Sequence, residues 1–303
     1  MTGKLKSSIG SLGAAALALL PVAVMAQEQP GHPVPGQIGL QPSVTPIMDS
    51  ITAFHDGPLM ITITAITVLV LVLLVIVIVR FNAKSNPTPS KTTHNTLIEI
   101  VWTVVPVLVL VIIAIPSFAV LTDQLTVPDG QRKYLGSNIF SLGNEEVPAP
   151  ELTVKAIGQT WYWDYEYVDQ GKTFTSSILN EEQRLAQKPN QPRLLAVDYE
   201  LVVPVDTTVR LQVTADPVGV IHAFALPSFG IKIDAVPGKL NETWFNARKT
   251  GLYYGQCSEL CGKDHAYMPI GIRVVSKEEF AAWMAAYQAG SLDDANATLP
   301  AIS

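Results

Sequence analysis

Two uncharged segments of membrane-spanning length constrain this chain more than any other feature. Residues 57–79 and 100–122 each run for 23 residues without a charged side chain. At about 1.5 Å per residue, a helix of that length spans roughly 34 Å, enough to cross the hydrocarbon core of a bilayer. A helix that is apolar on every face for so long is rare in soluble proteins. The sequence therefore predicts a transmembrane hairpin over 57–122, with residues 80–99 as its loop.

The orientation of this hairpin follows from two independent features. The loop carries three basic residues and, before Glu99, no acidic one, which predicts that it is cytoplasmic. Residues 1–26 have a basic start, an apolar run and small residues at the end, which is typical of a cleaved signal peptide. An uncleaved anchor helix is the alternative. Cleavage would place segment 27–56 outside the membrane, so both features put the rest of the chain outside, which in a bacterium is the periplasm.

The exported part is predicted to be an all-β domain. Residues 123–150 are rich in Pro, Gly and polar side chains and indicate a linker or a surface insertion. Short alternating runs about ten residues apart in 151–276 favour a β-sandwich or barrel. The predicted strands are Leu194–Val203, Val209–Val213, Ile231–Ala235, Gly251–Gly255 and Gly271–Val275. In the final segment, 277–303, a capping box of Ser276 and Glu279 predicts a short helix over Phe280–Gln288, followed by a loose tail of about a dozen residues.

Charge excludes some partners and suggests others. The whole chain has a formal net charge of −6 and a pI near 5.4, which argues against nucleic-acid binding. Beyond Thr122 there are 22 acidic and 15 basic residues, a net charge of −7. Such a domain could steer a basic partner protein, although ordinary solubility explains the charge equally well. Asp198, Glu200 and Asp216 are candidates for an acidic docking face.

The chemistry of the chain is concentrated in one loop. Cys257, Cys261, His265 and Met268 occur at spacings of four, four and three residues, and the chain has no other cysteine. Thiolate and thioether donors together favour copper over zinc or a hard cation. A disulfide is the alternative in an oxidising compartment. It would leave the positions of the histidine and methionine unexplained, so the loop predicts a metal site.

The donor inventory exceeds what a single copper ion needs. A one-copper electron-transfer site uses two histidines, one cysteine and a weak axial ligand. His222 is the only other histidine of the exported part, which raises the inventory to two Cys, two His and one Met. Two neighbouring thiolates can each bridge two ions, with one terminal histidine per ion. Met268 and a main-chain carbonyl, most plausibly that of Glu259, would complete the two coordination spheres; the spacing suggests this arrangement without proving it.

Several motifs resemble those of one family, the binuclear copper (CuA) subunit II of cytochrome c oxidase. The similarity extends from about residue 46 to residue 287. The matching stretches are Tyr253-Tyr254-Gly255-Gln256, Cys257-Ser258-Glu259-Leu260-Cys261-Gly262 with His265 and Met268, Gly158-Gln159-Thr160-Trp161-Tyr162-Trp163, Val220-Ile221-His222-Ala223-Phe224 and Asp234-Ala235-Val236-Pro237-Gly238. The resemblance implies a cupredoxin-like copper domain behind two N-terminal transmembrane helices.

The resemblance also implies ligands and roles. Two copper ions would be held by His222, Cys257, Cys261, His265, Met268 and the carbonyl of Glu259. The Glu259 side chain would reach a magnesium or manganese ion where subunit I makes contact, since carboxylate oxygens suit hard cations. Trp161 would receive the electron from cytochrome c; its alternation with Trp163, Tyr165 and Tyr167 would otherwise indicate strand packing. Glu99 would lie near the entrance of a proton pathway, its alternative being a helix-start acid favoured by the dipole.

The expected function is therefore electron transfer within a proton-pumping oxidase of the bacterial inner membrane. Cytochrome c would reduce the copper pair, which would pass electrons to heme in subunit I; subunit III and membrane lipid are the other expected partners. A quinol oxidase subunit would lack the two cysteines. A membrane-anchored copper carrier would leave the aromatic stripe and Glu99 without a purpose. A nitrous oxide reductase would need a further large domain.

Overall fold

The structure is a computed structural model that describes residues 31–88, 90–136 and 143–300. The predicted signal peptide, residues 1–26, lies outside the described residues. The described part consists of two long helices and a β-domain, and this architecture confirms the predicted fold class.

Both predicted apolar helices are present, and both extend beyond the predicted spans. Helix α1, Pro46–Phe54, continues through a π-helical turn at His55–Leu59 into α2, Met60–Arg80. Helix α3, Thr96–Leu125, begins at Asn95, whose side chain accepts hydrogen bonds from two backbone N–H groups of the first turn. Both are long and apolar enough to cross a membrane, and almost none of their apolar surface is buried.

Two five-stranded sheets form the body of the β-domain. The strands of the domain are β1 Lys133–Tyr134, β2 Glu145–Glu146, β3 Leu152–Gln159, β4 Tyr162–Tyr167, β5 Lys172–Ser176, β6 Leu201–Pro204, β7 Thr208–Ala215, β8 His222–Leu226, β9 Ile231–Ala235, β10 Asn241–Asn246, β11 Gly251–Cys257 and β12 Pro269–Val275. The strand orders of the two sheets are β10-β7-β3-β4-β5 and β6-β12-β11-β8-β9, with β3–β7 and β6–β12 parallel and the other pairs antiparallel. Three helices complete it: α4 Glu181–Gln187, α5 Lys277–Ala289 and α6 Leu292–Asn296.

The core lies between the two sheets and follows from the period-two alternation of the strands. Residues of β3 are alternately buried and half-buried, so one face is turned inward. In β4 the inward face consists of Trp163, Tyr165 and Tyr167, all fully buried. The predicted packing role of these three aromatics is therefore confirmed, whereas Trp161 precedes the strand in a turn.

Helix α5 is confirmed with both halves of its capping box. The Ser276 side chain accepts the backbone N–H of Glu279, whose carboxylate accepts the N–H of Ser276. The prediction of a loose tail is wrong for its described residues, which end at residue 300. A second capping box at Ser291 begins α6, and the Asn296 side chain accepts a 2.8 Å hydrogen bond from the indole of Trp283. The tail is therefore packed onto α5.

The predicted strand Leu194–Val203 is wrong over most of its length. Only Leu201–Pro204 forms a strand, β6. Leu194 has a left-handed backbone conformation with φ 68°, which interrupts an extended segment. The ammonium group of Lys188 donates hydrogen bonds to the carbonyls of Val197 and Asp198, which are therefore engaged outside a sheet.

Candidate metal centre

Strand pairing brings the first two candidate ligands together. His222 is the first residue of β8 and Cys257 the last of β11, and these neighbouring strands pair Cys257 with Phe224. The distance between Cys257 Sγ and His222 Nδ1 is 3.8 Å. Both side chains are buried. Because the two residues lie 35 positions apart in the chain, the fold and not the local sequence brings them into contact.

The loop after β11 supplies the other donors. Cys261 Sγ lies 3.8 Å from Cys257 Sγ, 3.5 Å from His265 Nδ1 and 3.6 Å from Met268 Sδ. The carbonyl oxygen of Glu259 lies 3.3 Å from Cys257 Sγ. The structure thus joins all five predicted side chains and the predicted carbonyl in one cluster, in which each of the other four donors lies within 3.8 Å of a cysteine sulfur.

The donor set fits a metal. Both cysteines are free, and His222, Cys257 and Cys261 have ligand atoms within 4.8 Å of one another. Two sulfurs 3.8 Å apart can both lie about 2.3 Å from a single ion, the distance typical of zinc–thiolate bonds. Soft sulfur donors flanked by imidazoles select a copper-type ion rather than magnesium or calcium.

Burial favours the uncharged forms of two donor side chains, Cys261 and His222. Burial, together with the neighbouring Cys257 thiol, raises the pKa of Cys261 to about 12. Burial, with a smaller contribution from His265, lowers the pKa of His222. At neutral pH the thiol of Cys261 is therefore protonated and the imidazole of His222 uncharged. A bound metal must displace the thiol proton.

The ring of His222 is held by packing and by the contact of its Nδ1 atom with Cys257 Sγ. Its Nε2 atom is buried and has no hydrogen-bond partner among the described residues. The ring meets the edge of Trp163, with a centroid distance of 6.1 Å, and lies against the backbone of Gly158 in β3. A Cβ at Gly158 would lie 2.9 Å from His222 Cδ2, so glycine is needed there for the ring's position.

Replacing Gly158 with alanine should therefore displace the imidazole. We expect Gly158→Ala to lower the free energy of unfolding by about 1–3 kcal/mol, the usual cost of overpacking a core. Denaturant unfolding of the purified protein would measure this change. Gly39→Ala is a suitable control because a Cβ at that position would have no neighbouring atom within 4 Å. Equal stability of the two variants would contradict the tight packing of His222.

Two tryptophans fasten the ligand loop to β4 and to the turn before it. Trp161 Nε1 donates to the carbonyl of Cys261 at 3.0 Å, and Trp163 Nε1 donates to the carbonyl of Met268 at 3.3 Å.

Gly262 allows the close approach of the Trp161 ring and has φ 122°, a conformation that side chains disfavour. The Lys263 ammonium group lies 5.5 Å from the centroid of the same ring. Three of these contacts are not predicted from the sequence, because each joins segments that lie far apart in the chain. They are the contacts of Gly158 with His222, of Lys263 with Trp161 and of Trp163 with Met268.

Glu99 is not part of this cluster. It lies in the first turn of α3, and its carboxylate accepts the backbone N–H of Asn95 at 3.1 Å. About 40 Å of helix separates it from the β-domain end of α3. The structure thus shows the helix-start geometry of the alternative interpretation, and a role in proton uptake stays a prediction.

Two of the three candidate docking acids are engaged within the domain. Glu200 is only 7% exposed and pairs with the Lys188 ammonium group at 2.6 Å. Asp198 accepts the backbone N–H groups of Ser177 and Tyr199. Asp216 is the remaining candidate, since it is half-buried in the turn that leads to His222. The suggestion that Glu200 belongs to a docking face is wrong, because its side chain is buried and already paired with Lys188.

Comparisons with known proteins agree with this architecture. A family profile described as cytochrome c oxidase subunit II, periplasmic domain, matches residues 152–275. A second profile, for the transmembrane domain of the same subunit, matches residues 33–120. The two profiles leave residues 121–151 between them unmatched, and together they cover more than half of the chain.

Individual relatives cover most of the chain. It is 46% identical over 270 residues to a probable cytochrome c oxidase subunit 2 of Rickettsia bellii, covering 89% of this chain and 91% of that protein. It is 39% identical over 308 residues to cytochrome c oxidase subunit 2 of Cereibacter sphaeroides, covering 95% and 93%. The crystallised periplasmic domain of subunit II of cytochrome oxidase from Bradyrhizobium japonicum shares 59% identity, covers 46% of this chain and 94% of that chain, and has a TM-score of 0.41.

Proposed function

Because the chain belongs to the cytochrome c oxidase subunit II family, we propose that it is the electron-accepting subunit of a proton-pumping heme-copper oxidase. Its two apolar helices and its family make it a membrane-anchored subunit of such a complex. In this proposal it lies in the bacterial inner membrane with the β-domain in the periplasm. Electrons from cytochrome c arrive at its metal centre and leave for heme in subunit I, where oxygen is reduced to water.

The observation that carries this proposal is the pair of free, buried thiols 3.8 Å apart with an imidazole beside each. Cys257 and Cys261 would bridge two copper ions, and His222 and His265 would each bind one of them. Met268 and the carbonyl of Glu259 would occupy the remaining positions. A copper pair of this kind accepts and releases one electron at a time without forming or breaking a covalent bond.

The protein's own contribution is to keep these donors in place between redox states. The hydrogen bonds from Trp161 and Trp163 fix the ligand loop at Cys261 and at Met268, and strand pairing fixes Cys257 against β8. A preorganised site needs little rearrangement when its charge changes, which favours fast electron transfer. Buried surroundings exclude water from the sulfurs.

Exposed apolar and aromatic side chains beside the ligand loop form a surface on which a partner protein could dock. Leu260 and Tyr267 are 81% and 48% exposed beside the ligands, and Trp161 is partly exposed with its indole joined to the loop. A docked cytochrome c would contact these exposed apolar side chains. The net charge of −7 on the exported part would steer its approach. Trp161 is the proposed point where the electron enters.

Contacts with other subunits complete the proposal. The exposed carboxylate of Glu259 would bind magnesium or manganese where subunit I meets the loop. The apolar surfaces of α2 and α3 would face lipid and subunit I, and subunit III would belong to the same complex. Glu99, on the cytoplasmic side in this orientation, would serve proton uptake.

Copper content and electron spin resonance of the purified protein test the central proposal. Two coppers per chain that share one unpaired electron give a seven-line hyperfine pattern, because the electron couples equally to two spin-3/2 nuclei. One copper with a four-line pattern, or a disulfide without copper, would overturn the binuclear centre. A carrier role would then have to be considered.

Copper uptake should depend on pH because the Cys261 thiol has a raised pKa. We expect the apparent affinity of the metal-free protein for Cu(I) to increase between about pH 7 and pH 9, by up to about tenfold per unit for each displaced thiol proton. His222 does not contribute to this slope, because its lowered pKa leaves the imidazole neutral over that range. Competition with a Cu(I) chelator measures the slope. The Cys261→Ser variant should show a shallower one, and a pH-independent wild-type affinity would contradict this account.

A further inference from the structure

The segment between α3 and β3 does not behave as a linker. We call residues 127–136 and 143–150, which follow Thr126 at the end of α3, the junction segment. Its composition suggested a linker or a surface insertion, yet Tyr134, Leu135 and Val147 are almost fully buried. Tyr134 and Val147 pack in one cluster with Trp244 of β10 and Ile47 of α1. The junction segment therefore fills the space between a membrane helix and the β-domain.

Asp123 lies at the centre of this contact. The residue is only 4% exposed; its carboxylate pairs with the guanidinium group of Arg132 at 2.9 Å and accepts the backbone N–H of Leu135 at 2.8 Å. Its main-chain carbonyl accepts the indole N–H of Trp244 at 2.8 Å. One residue in the last turn of α3 thus holds the junction segment on one side and β10 on the other.

Neighbouring residues extend the attachment. The Gln124 carbonyl accepts the hydroxyl of Thr243 at 2.8 Å, and its side-chain amide donates to the carbonyl of Gly230 at 3.1 Å. The Tyr134 hydroxyl donates to the carbonyl of Thr126 at 2.9 Å. Each bond joins the end of α3 either to the β-domain or to the junction segment.

The first membrane helix is attached at the same place. Arg248, which follows β10, forms an ion pair with Asp49 of α1. The hydroxyl of Ser50 donates to the carbonyl of Gly136 in the junction segment. Ile51 of α1 packs against the clusters that contain Tyr134 and Leu135. Both membrane helices are therefore fixed to one end of the β-domain.

From this end, strands lead directly to the metal centre. Gly230 immediately precedes β9, and β9 pairs its last residue, Ala235, with His222. On the other sheet, β10 pairs with β7 and β7 with β3, which carries Gly158 under the His222 ring. Because packed strands move as rigid bodies, the junction segment determines the position and orientation of the metal ligands relative to the membrane helices.

We propose that Asp123 is a positioning residue, which acts through the junction segment to hold the metal centre at a fixed distance and orientation above the membrane. This inference rests on the proposed function. A soluble cytochrome c can adapt its approach to a displaced domain, whereas a heme within the membrane partner cannot. The junction therefore matters for the onward electron step and not for the first one.

The assembled oxidase with Asp123→Asn tests this assignment. The amide cannot neutralise Arg132, and its NH2 end cannot accept the backbone N–H of Leu135. In the first step one electron passes from ferrous cytochrome c to the metal centre; in the second it passes to the acceptor heme. Rapid-mixing or flash spectroscopy resolves the two. We expect the first rate to change by less than about twofold and the second to fall about tenfold or more, because electron transfer slows exponentially with donor–acceptor distance and depends on the relative orientation of the pair.

Asp129→Asn is the matched control. Asp129 is exposed in the same segment, and its carboxylate accepts the backbone N–H groups of Gln131 and Arg132, which an asparagine can also do. This variant makes the same change in charge and should leave both rates at wild-type values. Equal onward rates in the two variants, or an equal loss in both steps of Asp123→Asn, would overturn the positioning role.

A milder variant covers the case in which Asp123→Asn does not assemble. Tyr134→Phe removes only the hydroxyl bond to Thr126 and keeps the ring against Trp244, so it should slow the onward step alone, by about threefold or roughly 0.7 kcal/mol. An onward rate equal to that of Asp129→Asn would overturn the inference. If cytochrome c fails to reduce the wild-type centre, the proposed function fails instead, and the two failures are thus distinguishable.

Discussion

The Cys257→Ser protein is expected to contain no copper pair and to lose oxidase turnover by more than about 100-fold, since even the loss of groups that only orient metal ligands costs about 10–100-fold. A serine hydroxyl is a hard donor that stays protonated at neutral pH, so it cannot bridge two soft ions as a thiolate can. Copper per chain, the spin resonance spectrum and oxygen consumption with reduced cytochrome c measure the effect.

Ser258→Ala provides the control in the same loop. The Ser258 side chain is exposed, and its backbone N–H, which the substitution retains, donates to the carbonyl of Ala223 at 3.0 Å. This variant should keep two coppers and wild-type turnover. Retention of two coppers with a shared electron in Cys257→Ser would show that Cys257 is not a bridging ligand.

Trp161→Leu is expected to slow reduction of the centre by cytochrome c on the order of 10²-fold, the penalty associated with misplacing a reacting pair. The indole links the exposed surface to the ligand loop through its 3.0 Å bond to the Cys261 carbonyl, and leucine provides neither the ring nor the N–H. Copper content should stay at two per chain, because Trp161 supplies no ligand atom. Stopped-flow kinetics at several cytochrome c concentrations give the second-order rate constant.

Tyr267→Leu removes another exposed aromatic ring from the same loop. If Trp161 has a specific role, the Tyr267 variant should lose less than about threefold in the same rate constant, or roughly 0.7 kcal/mol. Similar losses in the two variants would assign the effect to the apolar surface as a whole. Loss of copper from the Trp161→Leu protein would show that the slower reduction results from a disturbed fold of the ligand loop.

The candidate ligands were predictable because four of them lie within twelve residues and carry rare chemistry. Cys257, Cys261, His265 and Met268 are identified by donor type and spacing alone. His222 was added because the exported part has no other spare histidine. Their environment was not predictable in the same way. Gly158 under the imidazole ring and the Trp163 bond to the Met268 carbonyl depend on β3 and β4 lying beside the loop, which no local pattern encodes.

The helices and the alternating strands were predictable from periodicity, and the errors have physical causes. The apolar run that begins at Leu194 satisfies a strand pattern, but a left-handed residue and the Lys188 ammonium group take its backbone out of the sheet. Glu200 looked like a surface acid because the sequence does not show that Lys188 folds back onto it. The polar tail after Gly290 looked loose because its stabilising contact, Asn296 with Trp283, crosses from one helix to the next.

The pairing of β8 with β11 makes the full set of donors a property of the folded domain. The loop donors follow one another along the chain, but His222 lies 35 residues before Cys257 and contacts it where these two strands pair. Unfolding that separates the strands would therefore separate His222 from the loop donors. Stability of the strand pair and affinity for a metal are thus thermodynamically linked, so that each strengthens the other.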